Sequence, residues 1–156
     1  MFYLKKLNKN LKLFIYGDGN KIEKKIIKTN INKYGLNDII TLKKFTPNIE
    51  KIYSTSHLIV IPSFKEAFGY VVVESFFYKV PVLAYRIKSL NEIIKNNYNG
   101  YLVKKFDTKL FAKKIIHLLK NHKLRDKFIK NGYEDYKKKY TAELMTKKYF
   151  NLIINE

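Results

Sequence analysis

Glu66 and Glu74 stand eight residues apart in Pro62-Ser63-Phe64-Lys65-Glu66-Ala67-Phe68-Gly69-Tyr70-Val71-Val72-Val73-Glu74, on either side of an aromatic-glycine turn. Ionised carboxylates are strong acceptors for paired hydroxyls, so this pair suits the binding of a sugar. The turn between them suits a different group. A helix that starts at Phe68-Gly69-Tyr70 leaves its first N–H groups without intrahelical partners and presents the positive end of its dipole, which fits a phosphate.

Such a constellation needs a loop held between a strand and a helix, and the flanking sequence supplies both. Leu58-Ile59-Val60-Ile61 precedes it and Pro81-Val82-Leu83-Ala84 follows, giving strand, loop, helix and strand. Val71-Val72-Val73 has strand propensity, yet a buried helix can be apolar nearly all round. Pro81 opening the next strand favours a helix over Gly69 to Lys79.

The same alternation runs along the chain. Leu11 to Tyr16 reads as a strand stopped by Gly17-Asp18-Gly19-Asn20; Ile22, Ile26, Ile27 and Ile31 follow at near-helical spacing up to Tyr34, with Gly35 as a cap. Strands are expected over Asp38 to Leu42, His57 to Ile61 and Tyr101 to Val103, with short helices over Ile49 to Ser54 and Leu90 to Ile94. Phe2 to Asn10 reads as a short helix or a loose lead-in. Asp107-Thr108 caps the first of three helices that fill the tail, about residues 107–156. Five strands separated by helices indicate an α/β fold with an open, doubly wound parallel sheet of Rossmann type. Such sheets bind ligands beyond the carboxyl ends of their strands. Gly17-Asp18-Gly19, Phe45-Thr46, Ser63 to Gly69 and Tyr85 to Ser89 all follow strands and are expected along one rim.

Composition bounds the alternatives. The chain's 156 residues, 46% of them hydrophobic, suffice for one cored domain over 1–156. No apolar run approaches the roughly 20 residues that span a bilayer, and the start Met1-Phe2-Tyr3-Leu4-Lys5-Lys6 lacks the apolar core of a signal peptide, so a cytoplasmic location is expected. Cysteine is absent, and His57, His117 and His122 lack metal-ligand spacing, so no metal site is expected. The net charge of +19 invites a nucleic acid or an anionic membrane as partner. Only Arg86 and Arg125 among the 32 basic residues are arginine, the residue that reads guanine and phosphate bidentately, which disfavours nucleic acid. A solvated lysine surface is the favoured reading. Peripheral contact with an anionic membrane at its inner face comes second.

With these markers in order, the chain resembles the C-terminal, donor-binding domain of retaining glycosyltransferases of the two-domain GT-B architecture, family 4 in particular. The likeness runs from about Leu11 to Ile154. It rests on Gly17-Asp18-Gly19, on Pro62-Ser63, on the Glu-x7-Glu pair, on Val80-Pro81-Val82-Leu83-Ala84, on Glu92-Ile93-Ile94 and on Asn99-Gly100-Tyr101-Leu102-Val103. The resemblance implies transfer of a hexosyl-type group from a UDP- or GDP-sugar with retained anomeric configuration, with no metal or other cofactor. It implies that Glu66 is catalytic, binding hydroxyls of the donor sugar, and that Glu74 binds the ribose diol. It further implies that the amides of Phe68, Gly69, Tyr70 and Val71 hold the diphosphate, that Phe45 and Thr46 frame the base, and that Gly17 and Gly19 allow close approach.

There are departures. Ala67 stands where relatives usually have glycine, and Lys88-Ser89 where they often have a Gly-Gly pair. An earlier strand and loop that supply an arginine and a lysine for the diphosphate, and the N-terminal acceptor domain, find no counterpart before Leu11. The expectation is a donor domain truncated at its N-terminus, weakly active or inactive alone, either a fragment of a longer enzyme or one half of a split one whose acceptor domain is supplied by a separate chain. A non-catalytic nucleotide-sugar-binding subunit and a basic membrane- or nucleic-acid-binding protein are the competing classes.

Overall fold

The computed structural model describes residues 3–4 and 11–154. The expectation for Phe2 to Asn10 falls mostly outside the described residues. The chain folds as two compact units, Met1–Lys51 and Ile52–Glu156.

The first unit is one βαβ crossover: β1 (Leu13–Tyr16), α1 (Lys21–Lys33) and β2 (Ile40–Lys43). β1 and β2 run parallel, with Leu13 opposite Ile40. Asn20 starts α1 with a reciprocal cap: its side chain accepts from the Glu23 amide at 2.8 Å, and Glu23 Oε2 accepts from the Asn20 amide at 3.1 Å. Gly35 ends the helix, as its position foretold. The apolar spacing of α1 is only partly used. Ile31 is buried with Leu36 and Ile39, but Ile22 and Ile26 are 73% and 55% exposed. A two-stranded sheet offers too little surface to cover a 13-residue helix.

α2 (Ile49–Ser54) leads into the second unit, which continues with β3 (Ile59–Ile61), α3 (Tyr70–Phe77), β4 (Val82–Tyr85), α4 (Lys88–Ile93), β5 (Tyr101–Val103), α5 (Thr108–Lys120), α6 (His122–Lys139) and α7 (Ala142–Ile154). β3, β4 and β5 form a parallel sheet in that order, with Ile59 opposite Val82 and Leu83 opposite Tyr101. All four residues of the middle strand β4 are buried, as a strand covered on both faces must be.

Every strand pairing is parallel, but the hydrogen bonds make two ladders, β1-β2 and β3-β4-β5, where the sequence pattern led us to expect one.

Burial decides the valine run in favour of a helix. Val72 is fully buried and joins Phe76, Val82 and Leu90 in the core of the second unit, a gain that outweighs the few tenths of a kcal/mol by which valine disfavours a helix. α3 is then backed by α6 at a close crossing. A Cβ built on Gly132 of α6 would lie 2.6 Å from the Phe76 ring. A second tie reaches α6 from the turn before β5: buried Asn99 donates to Asp135 at 2.9 Å and accepts from the Lys95 amide at 2.8 Å.

Gly132→Ala tests that crossing. In an exposed helix the change would stabilise by about 1 kcal/mol; against the buried Phe76 it is expected to cost about 1–3 kcal/mol, seen as a lower thermal midpoint. A midpoint at or above that of the parent would show that Phe76 can yield.

Candidate functional site

Within the second unit, the β3–α3–β4 crossover carries Glu66, Phe68, Gly69, Tyr70, Val71 and Glu74 on one continuous loop and helix. Gly69 is the N-cap of α3 and adopts a left-handed conformation, φ 104° and ψ 46°. A side chain there is excluded twice, by that φ and by Leu90, whose Cδ2 would lie 2.6 Å from an added Cβ. The turn leaves the start of α3 open. The Val72 amide is taken by the Gly69 carbonyl at 2.9 Å. The amides of Phe68, Gly69, Tyr70 and Val71 carry no hydrogen bond among the described residues, and no acidic residue occupies the first turn of α3. Such a terminus accepts an anion.

Each glutamate's carboxylate is held by one hydroxyl. Ser63, just past β3, donates to Glu66 Oε1 at 2.9 Å, and Ser89 of α4 donates to the Glu66 backbone carbonyl at 2.9 Å. Ser89 thus fastens the loop from the position where a glycine was the family expectation. Glu74, on the second turn of α3 and half-buried, accepts from the Tyr53 hydroxyl at 2.6 Å. Tyr53 is 5% exposed, and its ring lies on that of Tyr78 at 4.9 Å with 8° between the planes. Burial first, and then the Glu74 carboxylate, hold the proton on Tyr53 far above the usual phenol range. Nothing in the sequence signalled that Tyr53, Ser63 and Ser89 hold the glutamates, although Pro62-Ser63 is a family marker and Lys88-Ser89 a departure: Tyr53 and Ser89 lie 21 and 23 residues from their partners.

Gly17, Gly19, Phe45 and Thr46 belong to the first unit. There Asp18 joins the two loops that follow β1 and β2, because its Oδ2 accepts from the Phe45 amide at 3.2 Å. A cleft of about 580 Å³ between β1, β2 and α1 includes Gly17 and Gly19 and is edged by Lys24, Lys43 and Lys44; Phe45 and Thr46 do not line it. Phe45 is 68% exposed. Lysines at the edge suit an anionic ligand.

Parallel strands joined by crossover helices, with paired carboxylates around an open helix start at a strand's carboxyl end, define a Rossmann-like module of the GT-B class. The comparisons with known proteins give the family. Residues 2–135 match the glycosyl transferases group 1 model, and the chain belongs to that family. It is 33% identical over 143 residues to an uncharacterized glycosyltransferase of Methanocaldococcus jannaschii, covering 90% of this chain and 39% of that protein. The solved structure of a Staphylococcus aureus TarM mutant in complex with fondaparinux, alpha-GlcNAc-glycerol and UDP superposes with a TM-score of 0.88 at 31% identity, over 97% of this chain and 30% of that one. The C-terminal domain of a glycosyl transferase group 1 family protein from Francisella tularensis superposes with a TM-score of 0.80 at 27% identity, covering 90% of this chain and 75% of that domain. The chain therefore spans less than half the length of the first two proteins. No helix among the described residues is long and apolar enough to cross a membrane.

Two measurements probe this geometry. Gly69→Ala is expected to cost about 2–4 kcal/mol from strained φ and overpacking on Leu90, read by chemical denaturation; a loss under about 0.5 kcal/mol would mean the turn relaxes freely. The second concerns Tyr53. Its folded pKa is raised, so its contribution to stability is complete below the unfolded pKa of 10.0 and declines as pH rises beyond it. Tyr53→Phe should make the alkaline fall in stability shallower by about one proton per molecule. An unchanged slope would mean Tyr53 titrates normally.

Proposed function

We propose that this chain is the donor-binding part of a retaining glycosyltransferase that moves a hexosyl group from a UDP- or GDP-sugar to an acceptor. The observation that carries the reading is the open start of α3 at Gly69, bracketed by two glutamates that are each held by a hydroxyl. The amides of Phe68, Gly69, Tyr70 and Val71 hold the diphosphate. Glu66 accepts hydroxyls of the donor sugar and orients it for departure of the nucleotide, and Glu74 accepts the ribose diol. Negative charge that grows on the diphosphate as the glycosidic bond breaks is met by helix-terminus amides and nearby cations, with no metal required in this scheme; preorganised dipoles of that kind often contribute the largest share of a rate enhancement.

UDP bound to the similar TarM structure supports a nucleotide as ligand. The acceptor is taken by a further domain, in the same or a separate chain. Support for that comes from the archaeal relative, 39% of whose length this chain matches. Alone, the donor part positions one reactant only, so transfer is slow or absent without the acceptor side.

Calorimetric titration separates the two glutamates. Glu74→Gln is expected to weaken UDP binding about 10-fold, the loss of one charge-assisted hydrogen-bond set. Glu66→Gln is expected to leave UDP within about twofold and to remove the extra affinity of a UDP-sugar over UDP. Unchanged binding in both variants would sink the assignment. Binding that persists without turnover, even when the acceptor domain is present, would identify a non-catalytic subunit instead.

A further inference from the structure

We propose that Tyr53 is a positioning residue for nucleotide recognition, fixing one carboxylate oxygen of Glu74 so that the other is presented to the ribose diol. The proposal rests on the reading of Glu74 as the ribose acceptor given above. Its own support is local. The Tyr53 hydroxyl meets Glu74 Oε2 at 2.6 Å, a short charge-assisted contact, while Oε1 has no hydrogen bond among the described residues. A glutamate on the second turn of a short helix is otherwise free about three torsions, and a diol requires its acceptor in one place.

Tyr53 can impose that place because it is itself immobile. It lies in the last turn of α2, 5% exposed, with its ring stacked on Tyr78 at 4.9 Å. Tyr78 caps the other end of α3, where its amide donates to the Glu74 carbonyl at 2.9 Å. Backbone and side chain of Glu74 are therefore gripped by two tyrosines that touch each other. A buried phenol whose proton is held tightly is also a constant donor across neutral pH.

A purely structural Tyr53 and a positioning Tyr53 predict different ligand profiles. The full chain is titrated with UDP and with 2′,3′-dideoxy-UDP, which keeps the base and diphosphate and lacks the diol. The parent is expected to prefer UDP by about 10-fold, and Tyr53→Phe to lose about 3- to 10-fold for UDP while changing the dideoxy compound by less than about twofold. In a Glu74→Gln background, Tyr53→Phe should produce no further change in the ratio. Equal weakening of both ligands, or an unchanged ratio, overturns the proposal and leaves the Glu74 reading standing. Should UDP fail to bind, the same pair of ligands is made with guanine; a parent that binds neither nucleotide, or does not distinguish it from its dideoxy form, overturns the Glu74 reading and the proposal with it. Glu74→Asp keeps the charge but withdraws it from the tyrosine, and is expected to reproduce the selective loss; if it retains the parent ratio the proposal fails, whether or not Tyr53→Phe folds.

Discussion

The second unit depends on one backbone constraint, the left-handed turn at Gly69 pressed against Leu90. A conventional side-chain cap at that position would satisfy an amide of the first turn and fill the space in front of the helix. Glycine does neither. With no cap and no acidic residue in the first turn, α3 starts as a set of unsatisfied donors facing outward. The same turn sets the spacing of the carboxylates, because Glu66 lies three residues before it and Glu74 five after it. Contact with Leu90 then transmits the position of the turn to α4, whose Ser89 holds the Glu66 carbonyl. Loop, helix start and the following crossover are thus one mechanical piece.

The strength of that piece comes from the interior. α3 has only eight residues, too few to be stable alone in water. It persists because Val72 and Phe76 are buried, and because Gly132 lets α6 approach the Phe76 ring. Valine is a poor helix former, yet its branched side chain costs less than burial returns. The site therefore stands on a helix whose existence is tertiary in origin, and packing defects at α6 reach it through Phe76.

This origin explains what the sequence disclosed and what it withheld. The β3–α3–β4 crossover was legible because Pro62, Gly69 and Pro81 punctuate it, and the first tail helix because Asp107 caps it. Local chemistry marks such boundaries directly. The division of the strands into two ladders was not legible, because alternation of strand and helix says nothing about which strands become neighbours. Ile22 and Ile26 show the same blind spot: their spacing is helical, and the helix is there, but periodicity cannot report whether an opposing surface exists to bury them. The carboxylates were found through types and spacing. Their holders were not, since Tyr53 and Ser89 are brought to Glu74 and Glu66 only by folding.

The two holders differ in mobility. Ser63 and Glu66 both lie in the loop, where Glu66 is exposed and the hydroxyl that meets it can rotate; Tyr53 is buried and stacked, and the carboxylate it meets is half-buried. Under the roles proposed above, a group that follows a sugar through bond cleavage gains from a partner that can readjust, whereas a group that recognises an unchanging ribose gains from one that cannot. The net charge of +19 contributes at another level: a positive field raises the encounter rate of any polyanion without choosing among them. Choice must come from short, directed contacts, and in this chain the shortest one at the carboxylate pair is made by a tyrosine to a glutamate, not by a lysine.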